Sequence, residues 1–229
     1  MPTPHALLLL ILLAATALAR PAPASAQRVR LGRVGLKLGG SLAQYRGEDA
    51  HGGNGNLGGY CGGVVLHLPV GSVFSVQPEL LYSQKGAHSQ YFVMPNHMTA
   101  TGAQRLTYAE LPILAKLRSH VGLFAEFGPT LSYLLSASIN SSAPIGGQTS
   151  FDNRFQFNSF EWGYAAGVGY QDTKGLTLGV RYSGGLSPVF TADAFKGYYG
   201  NNEPRIYNQT FQLSVGYIFY GRPEAEFTQ

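Results

Sequence analysis

Six side chains suited to proton or metal chemistry, Asp49, His51, His88, His97, Asp152 and Asp193, fall in or beside the irregular joining segments of the chain. Histidine with a carboxylate could serve acyl transfer or proteolysis, provided a nucleophile and its base lie in mutual hydrogen-bond reach. No spacing among the six enforces that reach, so they read as solvated loop residues. The glycine-dense stretch HGGNGNLGGYCGG, 51–63, lacks the Lys-Ser/Thr of a phosphate-binding loop. Its GGNGN is similar to one GGxGxD calcium repeat with Asn56 in the aspartate's place, and a single copy reads as a loop entering a strand. The one cysteine, Cys61, excludes an internal disulfide and a thiolate metal cluster, and reads as a small filler. The sequence therefore nominates no catalytic residue, no metal ligand and no cofactor.

Charge of another kind recurs inside the regular segments: Lys37, Glu79, Glu110, Lys116, Glu126, Glu161 and Arg181. Isolated charges of both signs at alternating positions can neutralise one another in a narrow interior, where an unpaired charge is costly. What must hold them is a set of strands. The mature chain has no helical periodicity and offers eight alternating segments, roughly 33–42, 58–68, 72–84, 104–117, 121–135, 159–172, 175–186 and 208–220. Each is near or above the ~9–11 residues a tilted strand needs to cross a bilayer. Their connections alternate. PVG (69–71), RSH (118–120) and TK (173–174) are short, whereas 43–57, 85–103, 136–158 and 187–207 are long. Short turns at one end and long loops at the other describe an antiparallel up-and-down transmembrane β-barrel with periplasmic turns, extracellular loops and both termini on the periplasmic side.

The two faces of these strands identify the solvent. Val34, Leu36, Leu38 and Leu42 oppose Gly35, Lys37, Gly39 and Ser41; Leu176, Leu178, Val180 and Tyr182 oppose Thr177, Gly179, Arg181 and Ser183. The apolar face turns to lipid, and the small, glycine-rich face with its charges fills the lumen, since about eight strands leave room only for side chains. A soluble lipid-binding barrel needs the inverse arrangement. Tyr60, Tyr82, Tyr133, Trp162, Tyr182 and Phe211 fall at the long-loop ends of their strands, and Phe74, Tyr170, Phe219 and Tyr220 at the short-turn ends, giving two aromatic girdles. Pro78, Pro112 and Pro129 interrupt central strands and are expected to mark bulges. FQLSVGYIFY, 211–220, is expected to close the barrel onto Arg33–Leu42, with Ile218 plugging the lumen near the periplasmic end. The loop aromatics Tyr91, Phe92, Phe151, Phe155, Phe157, Phe195, Tyr198 and Tyr199 suit either a cap of loops packed together or contact with a partner.

Composition agrees with this reading. Charged residues make up 12% of the chain, against about 25% in soluble domains. The net charge of +4 is small and scattered, with no basic helix and no nucleic-acid motif, so no nucleic-acid partner is expected. Ala6–Ala19 is an apolar run of signal-peptide length behind an n-region with His5 but no Lys or Arg, and Ala24–Ala26 supplies a small-x-small cleavage site. The expected organisation is a leader at 1–26, a barrel at 27–220 and a short tail at 221–229.

The segments QPELLYSQKG (77–86), YAELPILAKL (108–117), FAEFGPTLSYLL (124–135), GLTLGVRYSGGLS (175–187) and FQLSVGYIF (211–219) make the chain similar to PorT-like porin-family proteins, small bacterial outer-membrane β-barrels. The resemblance implies outer-membrane insertion, contact with outer-membrane lipid and lipopolysaccharide, and use of the last strand as the signal read by the assembly machinery. Nine residues, GRPEAEFTQ, follow that strand here. The expected function is non-enzymatic, structural or surface-interacting, and not that of a wide pore. A secretion or assembly accessory of PorT type, a rim enzyme acting on lipid and a narrow channel are the alternatives.

Overall fold

Alternation of apolar and small residues resolves, among the described residues, into nine antiparallel strands: β1 Arg33–Arg46, β2 Leu57–Pro69, β3 Phe74–Val93, β4 Met98–Arg118, β5 Leu123–Ile145, β6 Gln148–Asp152, β7 Phe160–Gln171, β8 Leu176–Gly185 and β9 Tyr207–Ile218. The computed structural model describes residues 32–50, 55–93, 98–145, 148–152, 154–192 and 204–219. The expected leader, the tail and Tyr220 lie outside them. Each strand pairs with its sequence neighbour, except that β5 pairs with both β6 and β7; β6 is a short flap beyond the wall. The other eight form a ring, shut by β1 against β9 from Gly35↔Ile218 to Arg46↔Tyr207. Closure leaves no strand edge in lipid, where an unpaired backbone amide would find no partner.

The expected faces are the observed ones. Leu36, Val180 and Val215 are each 51% exposed on the outer wall, whereas Glu79, Lys116 and Arg181 inside are at most 2% exposed. Cys61 is buried as a filler, and Ile218 is buried at the short-turn end of the lumen. The short turns are tight: the Asp172 carboxylate accepts from the Lys174 and Leu176 amides, and Gly122 closes its turn at φ +95°, a conformation that favours glycine.

Two expectations about the strands are corrected. The segment 85–103 is not a long loop, because β3 runs on to Val93 and β4 begins at Met98, paired from Lys85↔Leu106 to Val93↔Met98. Likewise β5 runs on to Ile145. Bilayer thickness bounds the length of strand that lipid requires, but a hairpin whose backbone groups pair with each other continues equally well in water. The three prolines do not mark bulges. Pairing lapses beside Pro78 on the β2 side, Pro112 on the β3 side and Pro129 on the β4 side, and in each case resumes in the same register. On their other flanks Pro78↔Ile113, Pro112↔Thr130 and Pro129↔Tyr164 pair normally. A proline lacks one donor, so each interrupts one ladder and leaves the opposite ladder whole. The register shift between β4 and β5 lies instead at Thr107/Tyr108, where Leu135 is the extra residue between the partners Leu134 and Ser136.

Candidate functional site

The lumen holds the chemistry that the sequence marks out, in two layers. In the one nearer the short turns, Glu79 of β3 accepts from Lys37 Nζ of β1 at 2.8 Å, Gln77 Nε2 at 2.7 Å, and Arg181 NH1 and NH2 of β8 at 2.7 and 2.9 Å. The same guanidinium reaches Glu126 of β5 through Nε at 2.8 Å and NH2 at 2.6 Å. Four strands on different sides of the ring are thus tied across its centre. Arg181 suits this place because its planar fork presents several donors at once.

The layer nearer the long loops is built on Lys85 of β3, which lies 2.8 Å from Glu161 of β7, 3.4 Å from Glu110 of β4 and 3.3 Å from Ser132 Oγ. Asn208 of β9 donates to the other Glu161 oxygen and to the Tyr108 hydroxyl. Lys85 is missing from the expected network, because the third strand was expected to end at residue 84. It continues the inward-facing row of Gln77, Glu79, Leu81 and Ser83, so one further step of the alternation finds it.

The expected network is also corrected at Lys116. Among the described residues no carboxylate lies within ion-pair distance of its ammonium, although Glu126 stands directly across in register. Arg181 occupies Glu126. The Lys116 ammonium instead donates to Gln77 Oε1 at 3.2 Å and sits 3.8 Å over the Phe124 ring. Cation–π attraction and one amide take the place of an ion pair.

Above the Lys85 layer, the connections after β6 and β8 fold inward. Phe157 and Phe190 pack 4.9 Å apart, and Phe190 meets Tyr45 at 5.7 Å. With Leu106, Tyr108, Leu134 and Val189 they form a buried apolar cluster across the lumen. The Asn158 side chain holds the two connections together through the Pro188 and Phe190 carbonyls. Of the loop aromatics, Phe157 belongs to this cap, whereas Phe155 is 76% exposed. The side chains of Tyr91, Phe92 and Phe151, and Phe195, Tyr198 and Tyr199, lie outside the description.

On the outer wall the described aromatic residues lie exposed near both ends of the strands. Tyr60 stacks on Tyr82 at 5.8 Å, Tyr133 meets Phe160 at 5.0 Å, Tyr182 meets Phe211 at 5.1 Å, and Trp162 is exposed near the same level. Tyr170, Phe74 and Phe219 are exposed at the opposite end. Of the rim residues considered for catalysis, Asp49 accepts from the Arg205 amide at 2.8 Å, and the backbone of exposed His88 pairs with Gly55. His51, His97 and Asp193, and the side chain of Asp152, lie outside the description. Among the described residues no three His, Cys, Asp or Glu side chains cluster as metal ligands would.

The closed ring of strands is also what comparison with known proteins finds. The crystal structure of Neisserial surface protein A superposes with a TM-score of 0.50 at 14% identity, covering 81% of this chain and 97% of that one. Also similar are Ail of Yersinia pestis, with TM-score 0.46, 13% identity and 82% and 99% of the two chains, and OprG of Pseudomonas aeruginosa, with 0.39, 10%, 83% and 97%. No curated protein sequence matches the chain. Residues 24–191 match the outer membrane protein beta-barrel domain, so the chain belongs to that family and is an eight-stranded barrel of the bacterial outer membrane.

Proposed function

We propose that this barrel is a non-enzymatic structural or surface-interaction protein whose long-loop end faces outside the cell, and that it is not a wide solute pore. The observation that carries the reading is the filled lumen: Arg181 bridges Glu79 and Glu126 across the interior, and the Phe157–Phe190 cap stands over the Lys85 layer. A hydrated solute such as a disaccharide would have to separate these ion pairs and displace the cap. The resemblance to PorT-like barrels extends the reading to a secretion or assembly accessory, in which the exposed Phe155 at the long-loop end would meet the partner.

Liposomes reconstituted with the refolded barrel should admit neither sucrose nor stachyose above the protein-free rate. Swelling as fast as with a general porin would overturn the filled-lumen reading. Removing the cap by Phe157→Ala with Phe190→Ala should leave the liposomes closed, since both charge layers remain beneath it.

A further inference from the structure

Five buried oxygen atoms in the lumen have no hydrogen-bond partner among the described residues: Ser83 Oγ of β3, both Glu110 carboxylate oxygens of β4, Ser183 Oγ of β8 and Asn208 Oδ1 of β9. Their residues are at most 4% exposed. Polar groups so deeply buried are nearly always bonded, and a set of them on four strands points to a bound ion or water.

Register brings most of them to one level. Followed along the pairings, a row runs from Gly39 through Cys61, Ser83 and Tyr108 to Leu134 on β5. Followed the other way it runs through Ser214, Gly179 and Gly169 to Phe124 on the same strand. The two ends stand ten residues apart, which is the stagger of tilted strands in a closed barrel. A level ring therefore departs from such a row by a little more than one residue at each strand. With that offset Ser83, Glu110, Ser132 and Ser183 share a level, and Asn208 stands about one inward residue higher. This belt lies between the Arg181 and Lys85 layers.

Charge is also unbalanced here. Glu110 and Glu161 face one ammonium, Lys85, at 3.4 and 2.8 Å, so one negative charge is in surplus. The lower layer has the opposite surplus, but it resides at Lys116, six residues from Glu110 along β4 and so about 20 Å away. Arg181 is held by Glu79 and Glu126. Water would satisfy the oxygens and leave the charge, which is costly in an interior. A cation answers both. Hard cations take oxygen ligands, and a surplus of one charge suits a monovalent ion better than a divalent one.

We propose that this belt binds one alkali cation, with Glu110 as its counter-charge and the Ser83, Ser183 and Asn208 oxygens completing its shell, directly or through water. Lys85 stays on Glu161.

The test is urea unfolding of the full-length barrel refolded in lipid vesicles, in sodium chloride and in choline chloride at equal ionic strength. Once sodium exceeds its dissociation constant, each tenfold rise should raise the folding equilibrium constant of the wild type about tenfold, as for any one-site ligand of the folded state. Choline, too bulky for the lumen, should give no such rise. In choline, Glu110→Gln and the wild type should unfold at similar midpoints, and sodium should raise only the wild type. Ser83→Ala with Ser183→Ala, which keeps every charge, should weaken the sodium response; Ser75→Ala, at the short-turn end of the lumen, should keep it. Equal responses of the wild type to sodium and choline overturn the site, and so does a full sodium response in Glu110→Gln. Sodium-23 relaxation of the wild type in detergent needs no variant to fold. Excess relaxation that potassium removes and choline leaves is expected there, and its absence also overturns the site.

Discussion

Glu79→Gln should destabilise the barrel by roughly 3–5 kcal/mol, the range for removing one partner from a buried ion pair. The carboxylate is 2% exposed and serves two cations at once, Lys37 at 2.8 Å and Arg181 at 2.7 Å. Glutamine keeps the shape and one acceptor oxygen but not the charge. Arg181 retains Glu126, whereas Lys37 loses the carboxylate that neutralises it. The uncompensated ammonium is the main part of the cost. Urea unfolding from lipid vesicles, followed by loss of heat-modifiable gel mobility, measures the effect. The double variant Glu79→Gln with Lys37→Met should recover a substantial share, because it removes the stranded charge along with its partner. A midpoint unchanged in Glu79→Gln would mean that water, and not Glu79, neutralises this layer.

The Lys85 layer supplies the contrast. Two carboxylates, Glu161 and Glu110, face one ammonium, at 2.8 and 3.4 Å. Neither Glu110 oxygen has a hydrogen-bond partner among the described residues. Glu110→Gln removes the surplus negative charge and leaves Lys85–Glu161 intact, so it should fall within about 1 kcal/mol of the wild type, the usual scale of one hydrogen bond. Similar costs for Glu79→Gln and Glu110→Gln would show that burial alone, and not charge balance within a layer, sets the penalty.

These two layers also mark how far the sequence reaches. Alternation assigns Lys37, Glu79, Glu110, Lys116, Glu126, Glu161 and Arg181 to one face, and unequal connections orient every strand, so the ring and its filled interior are legible from spacing alone. Partner choice is not, because it depends on contacts between strands that are not neighbours: Arg181 of β8 reaches β3 and β5. Lys85 lies just past the expected segment 72–84, because β3 continues by pairing with β4 beyond it. The inward cap formed by Phe157 and Phe190 depends on how two irregular connections fold over the lumen, and nothing periodic reports that. Phe124 shares the parity of the inward Glu126, but a small, glycine-rich lumen gives no reason to look for a large aromatic ring there.

That ring leads to the second large effect. Phe124→Ala should cost roughly 3–5 kcal/mol, the range for deleting a buried phenylalanine side chain. Phe124 reaches from β5 across two glycines of the inner wall, Gly169 of β7 and Gly179 of β8, which pair with each other. A methyl on Gly169 would stand 2.5 Å from Phe124 Cζ, and one on Gly179 would stand 3.4 Å from it. The glycines clear the space, the ring fills it, and Lys116 lies on the ring at 3.8 Å. Truncation opens a cavity and takes from Lys116 its cation–π partner, leaving Gln77 to hold the ammonium. The two glycines should then differ as sites of repair. A side chain on Gly169 also meets the Leu178 carbonyl, at 2.2 Å, which no side-chain change relieves; on Gly179 the next contacts after Phe124 are at 3.6 Å or more. Gly179→Val should therefore recover part of the stability lost in Phe124→Ala, and Gly169→Val should lower it further. The urea midpoints of the three variants, in the same vesicles, decide the matter: equal midpoints for the two double variants would mean that the ring is not seated on these glycines.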